Sequence, residues 1–86
     1  MTWYEVKMTT EIEVDPTYSV MLIEGDEERV DKKTKDTMEG MIYNEYSMKE
    51  IDIDSKKEAK RYISRDDDAD IAHAADGTTI TITTDL

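Results

Sequence analysis

Asp66, Asp67, Asp68 and Asp70 place four carboxylates within five positions. Three of them, Asp66, Asp68 and Asp70, alternate as the first three ligands of a helix-flanked calcium loop do. Such a loop also needs glycine at its sixth position for the sharp turn and a bidentate glutamate at its twelfth. Counted from Asp66, those positions hold Ile71 and Gly77. Half of the ligand set is missing. The aspartates are therefore expected to form a solvated turn, with no metal and no other cofactor.

His73 is the only histidine. Acid–base or nucleophilic catalysis would need a nucleophile or a second titratable group beside it. A glycine-rich phosphate loop, a metalloprotease helix and a Ser-His-Asp arrangement are all missing from the sequence. Paired carboxylates abound, but in a chain with 22 acidic residues proximity carries little information. No catalytic residue is expected, and the chain is read as a binder and not as an enzyme.

The elements that would position these groups follow from periodicity. In residues 3–14, Tyr4, Val6, Met8, Thr10, Ile12 and Val14 alternate with Trp3, Glu5, Lys7, Thr9, Glu11 and Glu13. Period two predicts a half-buried strand of an antiparallel sheet, with Trp3 on its polar face. There Trp3 is either an interface anchor, as tryptophans often are, or a ring folded onto a nearby lysine stem. Asp15-Pro16-Thr17 suits a turn into a second strand, "YSVMLIE"; Asp15 as a helix N-cap with Pro16 at the first helical position is the competing reading.

Val30, Thr34, Met38, Met41 and Ile42 make a loose helical stripe interrupted by Gly40, which predicts a helix near 27–39 followed by a strand. Ser55-Lys56-Lys57-Glu58 is a capping box, in which serine accepts from the third helical amide and glutamate reaches back. Ala59, Tyr62 and Ile63 follow at helical spacing, so a well-marked helix runs over about 55–65. Asp76-Gly77 suits a two-residue type I′ turn. That turn would pair Ala75 with Thr78, His73 with Ile80 and Ile71 with Ile82, leaving His73 as a buried or half-buried structural imidazole on an apolar face. The expected architecture is one α+β domain over 1–86: a small antiparallel sheet, the helix at 55–65, a second helix near 27–39 and a C-terminal β-hairpin.

Eighty-six residues hold only a thin core, with Ile, Val and Leu totalling fifteen and phenylalanine lacking. A fold of this size is not expected to hold a ligand pocket of usual dimensions. There is no cysteine, and hence no disulfide framework or thiolate. No apolar run approaches eighteen residues, and "MTWYEVKMTT" lacks the layout of a signal peptide. A cytoplasmic protein without membrane contact is expected; were it phage-encoded, that would be the host cell cytoplasm.

Charge is the most informative property. The net is −11, and it is segregated. Residues 1–28 sum to −7, 29–35 to +3, 36–55 to −5, 56–65 to +4 and 66–86 to −6. Such a chain repels DNA, RNA and anionic lipid, and it is drawn to a basic surface. The expected contact residues are Glu24, Asp26, Glu27, Glu28, Asp66, Asp67, Asp68 and Asp70, and the expected partner is a basic nucleic-acid-binding protein. In size, charge and lack of cysteine the chain is similar to phage-borne inhibitors of host defence, including anti-CRISPR, anti-restriction and glycosylase inhibitors. That likeness implies a nucleic-acid mimic and assigns no residue a role. The second reading is a structural protein that dimerises through an exposed edge at Thr78–Thr84.

Overall fold

The computed structural model describes residues 2–10, 18–65 and 69–81. The alternation near the N-terminus becomes β1 (Trp3–Thr9), and the apolar run after it becomes β2 (Tyr18–Glu24). The helix near 27–39 is α1 (Glu27–Met38), followed by β3 (Glu45–Ile51). The capping-box helix is α2 (Lys56–Arg65), and the chain continues through β4 (Ala69–His73) and β5 (Thr79–Thr81). The Asp15-Pro16-Thr17 turn, the apolar positions 12 and 14, and Ile82 lie outside the described residues, as do Asp66, Asp67 and Asp68.

The fold is α+β, with the five strands in one sheet in the order β3-β1-β2-β4-β5. The sheet is mixed where a wholly antiparallel one was expected. β1 runs antiparallel to both β2 and β3, and β4 antiparallel to β5, but β2 and β4 are parallel. Two long crossovers create this arrangement. The β2–α1–β3 connection passes over β1 in one direction, and the β3–α2–β4 connection passes over β1 and β2 in the other. The right-handed preference of such crossovers sends connections travelling in opposite directions to opposite faces. The two helices do cover opposite faces, so the sheet is the middle of three layers.

Each face has its own core. Under α1 lie Val6, Met8, Met21, Ile23 and Val30, with Tyr4, Tyr46, Met48 and Ile71 packed against them. Under α2 lie Trp3, Leu22, Ile51, Ala59, Ile63, Ala72 and Ala74, joined by Tyr62 and Ile80. Trp3 is thus neither an interface anchor nor a ring on a lysine stem: it is 0 % exposed. The face of β1 that reads as polar is the one α2 covers. Its charged members are accommodated at the margin, where Tyr62 bonds Glu5 and Lys7 Nζ stands 4.5 Å above the Tyr18 ring.

Local chemistry sets the helix ends. Asp26 caps α1 by accepting from the Arg29 amide at 2.7 Å. At the other end Glu39 and Gly40 form the corners of a type II turn, with the Met41 amide bonded to the Met38 carbonyl and Gly40 at φ +81°. The turn leaves Met41 and Ile42 off the helix, 52 % and 69 % exposed. Strand β3 begins only at Glu45, later than the strand character of "MIYNEY" suggests. In α2 the Glu58 amide donates to Ser55 Oγ at 3.3 Å, and the Glu58 carboxylate accepts from the Asp54 amide at 2.7 Å. The capping box reaches one residue farther back than its usual form.

The hairpin closes differently from the expectation. Ile71 pairs with Thr81, Ala72 with Ile80 and His73 with Thr79, one residue out of the expected register. The loop has three residues, not two. The Gly77 amide bonds the Ala74 carbonyl, the Ala74 amide bonds the Thr78 carbonyl, and Gly77 takes φ +89°. A tight turn followed by a left-handed glycine is the next commonest hairpin closure. Since a one-residue slip exchanges the faces of a strand, Ala72, Ala74 and Ile80 face α2 while Ile71 lies under α1.

Candidate functional site

The expected acidic contact residues belong to two regions. The first is the turn that leads from β2 into α1. Glu24 ends β2 half-buried, and its carboxylate accepts from the Ala75 amide at 3.1 Å, tying the turn to the β4–β5 loop. Asp26 caps the helix, while Glu27 and Glu28 project from its first turn, where carboxylates stabilise the positive end of the helix. All three are exposed, and among the described residues none forms an ion pair.

Cross-strand pairing adds a residue that sequence reasoning missed. Tyr4 pairs with Glu50 across β1 and β3, so Glu50 lies on the α1 face beside the turn. The Tyr4 phenol is held above its ordinary pKa, first by burial and then by Glu50, Glu27 and Asp26. Three carboxylates from β3 and α1 therefore impose a negative field on one tyrosine. The alternation of Tyr46, Met48 and Glu50 carried the signal for Glu50, but only the register against β1 places it here.

The second region surrounds β4's start. Asp66, Asp67 and Asp68 lie outside the described residues. Asp70 is in β4, at a register shift: Val20 pairs with Ala69 and Met21 with Ile71, so Asp70 has no partner residue in β2. β2 runs from this point toward Glu24. The four residues from Val20 to Glu24 separate the two regions by roughly 13 Å of strand. Asp70 and the Glu24–Glu28 turn thus stand toward opposite ends of the same strand.

The positive blocks occupy the helices. Lys32, Lys33 and Lys35 of α1 and Lys57, Lys60 and Arg61 of α2 are exposed. Among the described residues two ion pairs form, Lys35–Asp31 at 3.0 Å and Lys56–Asp76. Asp31 also accepts from the Tyr46 hydroxyl, which keeps its carboxyl below the ordinary carboxylate range and the Tyr46 phenol above its own. In space the signs lie closer together than in sequence: α1 carries Glu27, Glu28, Asp31 and Asp36 beside Arg29, Lys32, Lys33 and Lys35, and Asp26 and Glu28 border the same surface hollow as Arg29 and Lys32.

His73 pairs with Ile23 of β2 and Thr79 of β5, with Nδ1 3.4 Å from the Thr79 hydroxyl. It is half-buried, but its neighbour is Thr79 and not Ile80, as the shifted register requires. Burial pushes its pKa down, and Lys33 adds to the effect. Among the described residues no three His, Cys, Asp or Glu side chains converge as metal ligands would, and no helix is long and apolar enough to cross a membrane. Compared with protein-family models, curated proteins and solved structures, the chain gives no match.

Proposed function

We propose that this protein is an acidic binding protein, not an enzyme, that occupies the basic groove of a nucleic-acid-binding protein in place of DNA or RNA. The observation that carries the reading is the cluster of exposed carboxylates Asp26, Glu27, Glu28 and Glu50 at one end of the sheet, none of which forms an ion pair among the described residues. Neighbouring carboxylates repel one another, and a basic surface relieves that repulsion. The rough 13 Å between this turn and the Asp70 region is comparable with the ~12 Å width of the DNA major groove. An inhibitor of host defence, such as an anti-CRISPR or anti-restriction protein of a phage, is the biological setting that suits a decoy of this kind, and it would act in the host cytoplasm.

Charge reversal tests the reading once a partner has been captured and purified. Glu27→Lys with Glu28→Lys, and separately Asp66→Lys with Asp67→Lys and Asp68→Lys, should slow association more than they speed dissociation, because steering acts on the on-rate. Unchanged association in both sets would remove these residues from the interface.

The strand order supports one other reading. β5 is an edge strand, and an open edge can pair with a second copy. A dimer mass in solution, lost on inserting proline at Thr79, would favour self-association through that edge.

A further inference from the structure

Contrary to the expectation from chain length, a cleft of about 340 Å³ lies between α1 and the β4–β5 hairpin, at the lower end of the usual range for small-molecule sites. Ile23 and Ala74 give it an apolar lining, Arg29 and Lys33 border it from α1, and His73 and Thr79 border it from the hairpin. Arg29 and Lys33 are four apart, on one helix face. The Arg29 stem packs on the backbone of Gly25, where an added Cβ would stand 3.4 Å from Arg29 Cδ. The Arg29 stem thus runs close beside Gly25, and among the described residues neither cation forms an ion pair.

Two carboxylates also line the cleft, and both are engaged. Glu24 accepts from the Ala75 amide. Asp76 is bound by the Lys56 ammonium and by the backbone amide of Thr78, which hold its carboxyl far below the carboxylate range. Among the described residues the positive groups are left without ion-pair partners, while the negative ones have hydrogen-bond partners.

We propose that this cleft binds a phosphoryl dianion, free or as a small monoester, between the Arg29 guanidinium, the Lys33 ammonium and the His73 ring. The dianion would supply the acceptors that the fork of Arg29 and the point charge of Lys33 are suited to meet. The charged residues that share the cleft lining with His73 are Arg29 and Lys33 from α1, Glu24 from the end of β2 and Asp76 from the hairpin loop. Burial and Lys33 disfavour the imidazolium. A bound dianion opposes both and favours it. Neither the cleft nor its test depends on a protein partner.

The single histidine makes the test direct, because its ring gives one set of NMR signals. The full chain is titrated from pH 5 to 8 at constant ionic strength, in sodium chloride, with phenyl phosphate, and with inorganic phosphate. Saturable binding of phenyl phosphate should raise the apparent His73 pKa by about one unit, the size expected for an opposite charge close by. Equal shifts with inorganic phosphate would assign recognition to the phosphoryl group, and a shift with phenyl phosphate alone would assign part of it to the apolar lining. Arg29→Gln with Lys33→Gln should abolish the shift, and Lys57→Gln, on the other helix, should retain it; Lys33→Gln alone should weaken it should the double variant fold poorly. A His73 pKa that is the same in phosphate and chloride, or a shift that survives loss of both cations, overturns the proposal.

Discussion

The Tyr62 hydroxyl of α2 donates to the Glu5 carboxylate of β1 at 2.5 Å, across 57 positions of sequence. The bond holds a charged residue at the margin of the core that α2 forms with the sheet. Glu5 sits between Lys49 and Leu22 in the ladder, half in and half out of water. Tyr62→Phe removes the donor and leaves the carboxylate without it. Hydrogen bonds to charged groups contribute about 1.5–3 kcal/mol, and partial exposure places the expected loss at the lower end. Urea unfolding of the two proteins measures it; equal midpoints would show that the bond contributes nothing.

Trp3 offers a sharper test of the α2 core. Trp3→Ala should cost about 3–5 kcal/mol, the range for removing a buried aromatic side chain, and Ile63→Asp should unfold the domain by burying an unpaired charge. A domain of this size has little more stability than that to lose. Melting temperatures unchanged by either substitution would take α2 off the sheet. The indole Nε1 has no acceptor among the described residues, so Trp3→Phe should be far milder than Trp3→Ala.

From sequence alone Trp3 belongs to a polar face. Glu5 and Lys7 share its face, and alternation alone assigns that face to water. What rescues it is tertiary: α2 arrives from 50 residues away and covers the end of the face at Trp3, while Tyr62 and Tyr18 meet the charges at its edge. The hairpin slip has a local cause. Asp-Gly serves a two-residue turn and equally a three-residue loop ending in a left-handed glycine, and the small apolar residues Ala72 and Ala74 make the alternative faces nearly equal in hydrophobicity. The parallel pairing of β2 with β4 is set by long crossovers and leaves no local trace. By contrast α1 was legible in its loose stripe, though not in its Asp26 cap, and α2 in its capping box and stripe. The acidic residues of the candidate site were visible as charge, but Glu50 joins them only through its pairing with Tyr4.

His73 should mark the pH dependence of folding. Its folded pKa lies below the ordinary 6.5, so the unfolded chain binds its proton more tightly. Stability from this group is therefore complete above pH 6.5 and is lost as pH falls from there toward the folded pKa. His73→Gln should flatten the slope of unfolding free energy between pH 7 and 5.5 and affect stability more than partner binding. A slope identical in the two proteins would contradict the burial of the ring, and loss of partner affinity in a fully folded variant would reverse its structural role.

Calcium is expected to leave the protein unchanged, because Ile71 and Gly77 stand where a calcium loop needs its glycine and its glutamate. The check is the melting temperature with and without millimolar calcium. A rise of several degrees that Asp68→Ala abolishes would restore the aspartates as ligands.

Competition with nucleic acid measures whether the acidic surface takes the place of DNA or RNA. The captured partner is immobilised, and binding of this chain is followed while duplex DNA or RNA is added at fixed ionic strength, then repeated as salt is raised. Nucleic acid should displace the chain in a concentration-dependent way. Affinity should also fall steeply with salt, since exposed charge pairs are screened over roughly 8 Å at physiological ionic strength. Binding indifferent to both nucleic acid and salt would contradict the account.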